Sequence, residues 1–181
     1  SEGRYEQTLS TDQDNGIVFD APSAAQAQSV RESLLPFAQA VNRKLDACGF
    51  PLCRGGIMAG DAGCCLSVNE WRARFSRWLR TPEPKALLNA SIFFDFRPLY
   101  GDDELSDALR TWLVDAVRDA PLFLRLMAAN ALQCRPPLGL LRDFRFDRNE
   151  AFPRTLDLKL YGTRPFVDAA RVLALANGVA H

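Results

Sequence analysis

Histidine is all but missing from this chain of 181 residues. The only one, His181, stands at the last position, where it reads as a tag or truncation remnant and not as a ligand. Net charge is missing too: 22 basic residues balance 22 acidic ones, so no global field favours nucleic acid or an anionic membrane, and neither is expected as a partner. No run approaches the roughly 18 apolar residues of a membrane-spanning helix, and no signal peptide opens the sequence. The five cysteines (Cys48, Cys53, Cys64, Cys65 and Cys134) are odd in number and lack the paired spacing of a zinc site or of a disulfide-stapled secreted scaffold. They read as reduced, structural thiols in a cytoplasmic protein.

What the chain does have is apolar material, 48% of its residues, enough to bury one sizeable core or two small ones. Its most informative stretch comes first: Ser1 to Asn15 reads SEGRYEQTLSTDQDN, a small turn followed by a D-x-D. Side chains alternate along an extended strand, so Asp12 and Asp14 are expected on one face. The β-branched and aromatic run Gly16-Ile17-Val18-Phe19 places the pair at the mouth of a short buried strand and not on a solvated face. Two buried carboxylates that close repel unless something neutralises them. A divalent ion does so readily, and Mg²⁺ is commonly held by one or two carboxylates plus substrate phosphates. A D-x-D alone is also frequent in turns, where Asp bonds locally to the backbone.

Further motifs run along the chain: Gly55-Gly56-Ile57-Met58-Ala59, Ser67-x-x-Glu70-Trp71, Ile92-Phe93-Phe94-Asp95-Phe96-Arg97 with Tyr100-Gly101-Asp102, Pro136-Pro137-Leu138-Gly139, and Asp157-Leu158-Lys159-x-x-Gly162-Thr163-x-Pro165. Together with the first fifteen residues they resemble the pattern of one family, the bacterial signal-transduction nucleotidyltransferases of the DNA-polymerase-beta-like superfamily. Its signature is G-S-x-G-R-x-E-Q-x-x-x-T-D-Q-D-N, and its members are often linked to cyclic-nucleotide-binding and CBS domains. More distantly the chain resembles the uridylyltransferases that modify nitrogen-regulatory proteins. The resemblance implies an α+β, mainly helical protein: a truncated nucleotidyltransferase-like α/β module with a small sheet over residues 1–66, then an antiparallel helical bundle over 67–181 that binds the substrate. It implies Ser1 as a triphosphate contact, Asp12 and Asp14 as catalytic metal ligands, Mg²⁺ or Mn²⁺ as the ion, and a nucleoside triphosphate as substrate. The Gly, helix and strand that the pattern places ahead of Ser1, and further helices beyond residue 181, are not in the sequence, which implies a fragment. Apolar surface left where they belong is expected to be covered by a homodimer or another chain.

The remaining segments are read from their own periodicity. Pro22-Ser23 opens a helix to about Cys48 with Val30, Leu34, Phe37, Val41 and Leu45 on the sheet, kinked or split at Pro36. Gly49 ends it, Phe50-Pro51-Leu52-Cys53 reads as a second strand, and Gly60 to Cys65 as a flexible connector. Ser67-x-x-Glu70 is a capping box for a helix whose buried stripe is Trp71, Phe75, Trp78 and Leu79, with Arg72, Arg74, Arg77 and Arg80 on a solvated remainder. Helices are expected from Pro82 or Pro84 through Phe96, from Asp103 to Val117, from Pro121 through Leu132 and from Pro165 to Ala176, with an irregular stretch from Arg135 to Pro153.

A turn feeding a helix start is a natural anion site, so Ser1 and Arg4 are candidates for the triphosphate, and Lys159, in a loop beside Asp157, could act there as a point charge or simply close a local turn. Where the superfamily pattern wants a third carboxylate, the sequence has Cys53 or Arg54, with Asp61 and Asp95 as substitutes; Asp95 reads first as an internal ion pair with Arg97 or Arg74. The function expected is metal-dependent transfer of a nucleoside monophosphate to a protein or small-molecule acceptor. The alternative is a non-catalytic nucleotide-sensing or protein-interaction module.

Overall fold

In the computed structural model residues 2–5, 11–134, 137–138 and 153–179 are described. Among them stand six α-helices and one two-stranded sheet, the mainly helical α+β class that the sequence predicts. The chain divides into two compact units, Ser1–Arg77 with Ile92–Leu113, and Trp78–Ser91 with Val114–His181.

The first unit holds β1 (Ile17–Phe19), α1 (Ala24–Ala47) and β2 (Cys65–Ser67). The strands are parallel, with Ile17 opposite Cys65 and Phe19 opposite Ser67, a pairing that needs a crossover, and α1 lies within it. Phe19, Ala21, Ala27 and Cys65 form a buried cluster, with Ile17, Val30, Leu34 and Leu35 packed against it. Ser23 caps α1, its hydroxyl accepting from the Gln26 N–H at 3.3 Å. The helix is not split at Pro36; the ring is exposed, so the Glu32 carbonyl that loses its partner faces water.

Two sequence expectations give way here. The buried row of α1 is Ala27, Ala38 and Asn42, whereas Phe37 and Val41 are exposed. The small alanines let the helix come close, and Asn42 is drawn in by hydrogen bonds. Nor is Phe50 to Cys53 a strand: Pro51 has no N–H to return a ladder bond, and β2 forms from Cys65–Ser67, between what reads as a connector and the capping box.

The second half of the first unit begins with α2 (Val68–Arg80), which opens on the predicted capping box. The Glu70 carboxylate accepts from the Ser67 N–H at 2.8 Å while the Ser67 hydroxyl accepts from the Glu70 N–H at 3.3 Å. Arg31 of α1 adds an ion pair to Glu70 and donates to the Cys65 carbonyl at 2.8 Å, tying helix, strand and helix together. Trp71 and Phe75 are buried, the indole N–H reaches the Ile17 carbonyl at 3.0 Å, and Phe75 packs edge-on against Phe94 with centroids 5.3 Å apart. Arg72 departs from the solvated reading: it is half-buried, over the Trp112 ring of α4 (Asp103–Arg118) at 5.8 Å, with a buried Nε that has no hydrogen-bond partner.

The second unit contains α3 (Pro84–Phe93) for most of its length, the end of α4, α5 (Pro121–Ala131) and α6 (Arg164–Ala176). Trp78 and Leu79 of α2 also belong to it; Leu79 is buried but Trp78 only half so, short of the expected four-residue stripe. Pro121 starts α5, where its missing N–H costs nothing, and Asn177-Gly178 ends α6, Gly178 at φ 71°. Helix α3 stops at Phe93 rather than running through Phe96, leaving Asp95 in irregular chain. The predicted irregular stretch from Arg135 to Pro153 lies outside the described residues except for 137, 138 and 153. No helix among the described residues is long and apolar enough to cross a membrane.

Two measurements check this packing. Phe75→Ala, at a site 2% exposed, is expected to cost about 3–5 kcal/mol in chemical denaturation, and Arg77→Ala, on an exposed site, less than about 0.5 kcal/mol. Burial alone would raise the Glu70 pKa, but Arg31 and the Ser67 donors outweigh it and hold the carboxyl below its ordinary value. A lowered folded pKa contributes stability above the ordinary glutamate range that is lost as pH falls through the lowered value. The thermal midpoint of Glu70→Gln should therefore depend less on pH than wild type across the acidic range.

Candidate functional site

The segment before β1 is extended, and its backbone is fixed by two bonds to the chain beyond α1. The Gln13 N–H donates to the Pro51 carbonyl at 2.9 Å and the Asn15 N–H to the Ile57 carbonyl at 3.1 Å. Residue by residue the exposure alternates: Asp12 exposed, Gln13 buried, Asp14 exposed, Asn15 half-buried. The two amides turn inward to one residue. Asn42 donates to Gln13 Oε1 at 2.8 Å and to Asn15 Oδ1 at 3.1 Å, while Gln13 Nε2 donates to the Asn42 carbonyl at 2.9 Å and the Phe50 carbonyl at 2.8 Å. Alternation then turns Asp12 and Asp14 together to the opposite, solvent side.

This corrects the expected burial of the carboxylates. An amide can be buried with all its hydrogen bonds made, whereas burying a charge costs far more, so the amides take the protein side and the acids the water. Mutual repulsion at a buried site therefore gives no reason for a cation. The alternating T-D-Q-D-N pattern already carried the signal: every second residue of the D-x-D stretch is an amide. Asn42 was detectable as a polar residue four positions after Ala38 on the close-packed side of α1.

The loop below is held by the same hub. Gly60 donates its N–H to Asn42 Oδ1 at 2.9 Å, and Ala59 donates to Asn15 Oδ1 at 2.8 Å. A Cβ at residue 60 would lie 2.9 Å from Asn42 Oδ1 and 3.2 Å from the Gln39 Cα, so only glycine allows this approach.

Cys53, one of the two residues offered where an acid was expected, lies beside Asp14. Burial pushes its pKa up; the Ile57 and Gly55 N–H groups oppose this, and a hydrogen bond to the Asp14 carboxylate adds to it. The other acids are engaged elsewhere. Asp61 accepts from the Gly63 N–H at 2.7 Å. Asp95 forms an ion pair with Arg4, a partner the sequence reading did not name, because the turn Glu2–Arg4 packs on this segment: a Cβ on Gly3 would lie 1.6 Å from the Asp95 carbonyl oxygen. Arg97 lies over the Tyr5 ring at 4.3 Å, and Arg74 donates to the Gly63 carbonyl. Arg110 of α4 donates to the Phe94 carbonyl at 2.7 Å and to that of Phe96, holding the chain on both sides of Asp95.

The first unit thus places Arg4, Asp12 and Asp14, and Ser1 lies outside the described residues. Lys159 belongs to the second unit, exposed at the start of a π-helical turn, Lys159–Thr163; its neighbour Asp157 closes that turn by accepting from the Leu160 N–H at 2.9 Å. Among the described residues no three His, Cys, Asp or Glu side chains cluster closely enough to hold a metal. Two carboxylates on one solvent face nevertheless fit Mg²⁺ or Mn²⁺, hard ions that take one or two protein oxygens and fill the other positions with phosphate and water.

Comparison with known proteins adds a family. Residues 1–85 match the model described as "Putative nucleotidyltransferase DUF294", and residues 121–181 match its companion, "Putative nucleotidyltransferase substrate binding domain". Together the two span about four-fifths of the chain. No curated protein and no solved structure matches it.

The contact between Cys53 and Asp14 can be tested by thiol labelling. Asp14→Asn removes a charge that favours the protonated thiol, so the pH midpoint of Cys53 alkylation by iodoacetamide should move down, with exposed Cys48 as the internal reference. An unmoved midpoint would place the thiol away from Asp14.

Proposed function

The chain belongs to the DUF294 nucleotidyltransferase family, and we propose that it moves a nucleoside monophosphate from a nucleoside triphosphate to a protein or small-molecule acceptor in a metal-dependent reaction of bacterial signalling. What supports this reading is that Asp12 and Asp14 are both exposed and alternate with two amides, Gln13 and Asn15, that are held inward by Asn42. The division into a catalytic part over residues 1–66 and an acceptor-selecting helical part over 67–181 belongs to the same proposal.

Nucleotidyl transfer brings an acceptor hydroxyl in line with the α-phosphorus while positive charge stabilises the attacking and leaving oxygens. A bound Mg²⁺ or Mn²⁺ would supply that charge. Asp12 and Asp14 would hold the ion. Ser1 and Arg4 are the proposed contacts for the triphosphate oxygens; the Asp95 carboxylate fixes the Arg4 side chain, and Arg110 fixes the segment that carries Asp95. Lys159 is the phosphate-contacting candidate of the second unit.

One observation favours a second reading. A thiol stands beside Asp14 where a third acid is wanted, and a protonated thiol neither accepts the acceptor's proton efficiently nor binds a hard ion well. That suits a module which binds nucleotide and metal without turnover.

Titration of a nonhydrolysable triphosphate with and without Mg²⁺, paired with a search for nucleotide turnover across acceptor proteins, separates the two readings. Asp12→Asn and Asp14→Asn are each expected to abolish the Mg²⁺-dependent part of binding. Binding and turnover in wild type support the enzyme, and binding alone the sensor. Unchanged Mg²⁺-dependent binding in both variants would remove the site.

A further inference from the structure

We propose that Asn42, near the C-terminal end of α1, is the positioning residue of the D-x-D site. The inference deepens the proposed function and rests on Asp12 and Asp14 being its metal ligands. Asn42 is 5% exposed, and every polar group of its side chain is spent on this one task. Its Nδ2 serves Gln13 Oε1 and Asn15 Oδ1, the two residues that alternate with the carboxylates, and its Oδ1 takes the Gly60 N–H. Its backbone carbonyl takes Gln13 Nε2 as well.

The geometry goes beyond ordinary satisfaction of a buried amide. A strand slipped by one residue would exchange the faces, burying Asp12 and Asp14 and exposing Gln13 and Asn15. Among the described residues two backbone bonds, from Gln13 and Asn15, anchor the chain before β1, and β1 itself has three residues, so backbone pairing is short. A pair of side-chain amides, two residues apart and read by a single asparagine on a long rigid helix, fixes the register strongly. The same asparagine anchors Gly60, and Asn15 anchors Ala59, so the loop carrying Ile57 to Gly60 is locked to the same helix turn. Residues that orient metal ligands at one remove typically change metal affinity by roughly 10- to 100-fold when removed.

The experiment uses Mn²⁺ as the probe, titrated into the whole chain and followed by electron paramagnetic resonance, on wild type, Asn42→Ala, Asn42→Asp and Leu34→Ala. Leu34 lies on the same helix, packed on the core and outside the amide network, so its truncation controls for loss of stability. Asn42→Asp keeps an acceptor for Gly60 but loses the donor to Gln13 and Asn15. The half-saturating Mn²⁺ concentration is expected to rise about tenfold or more in both Asn42 variants and less than about twofold in Leu34→Ala. Amide exchange should accelerate at Gln13, Asn15 and Gly60 in Asn42→Ala and stay unchanged there in Leu34→Ala. Unchanged Mn²⁺ affinity in Asn42→Ala, or an equal loss in Leu34→Ala, overturns the inference while leaving the metal site standing. Wild-type protein that binds no Mn²⁺ overturns the metal-site reading and this inference with it.

Discussion

A buried amide side chain is tolerated only when its donors and acceptors are all answered, and in the first unit that requirement is met by Gln13, Asn15 and Asn42 answering one another. Much else depends on it. It leaves Asp12 and Asp14 exposed, fixes the segment leading into β1, and holds Asn42 and Gln39 of α1 in close contact with Gly60 of the loop beyond the helix. A low local dielectric strengthens each bond and penalises each loss, so removing one partner leaves several groups unpaired. Such a network specifies a single register where a three-residue strand could not.

The second constraint is the ion pair of Arg4 and Asp95. It joins the N-terminal turn to a segment 91 residues away, and Arg110, whose own pKa burial lowers, holds that segment by two carbonyls. An arginine held by a carboxylate is preorganised: its rotamers are restricted before any ligand arrives, which reduces what binding must supply. Cys53 adds a contrast, since a thiol beside Asp14 offers no negative charge where an acid would double it.

Local rules were legible in the sequence wherever one residue type answers one backbone need. Ser67 and Glu70 announced a helix start, Pro121 another, and Asn177-Gly178 an end, and each stands in the structure as read. That Asp12 and Asp14 are both exposed was not legible, because periodicity gives relative direction only. The rest depended on partners far apart in sequence. Phe37 and Val41 match a helical apolar row, yet Ala27, Ala38 and Asn42 are buried, since close approach favours small residues and Asn42 brings its own hydrogen bonds. Cys65–Ser67 became a strand through its pairing with β1, and nothing in three residues reports that. Asp95 read as half of an internal ion pair, but its partner Arg4 comes from the distant N-terminal turn.

The account stands or falls on where a divalent ion goes. Paramagnetic broadening of backbone amide signals by trace Mn²⁺, with a nonhydrolysable triphosphate present, reports this directly along the whole chain. Broadening that begins at Asp12 to Asn15, reaches Cys53 next, and vanishes in Asp12→Asn and Asp14→Asn is the result predicted. Broadening centred elsewhere, or unchanged by both substitutions, would contradict it.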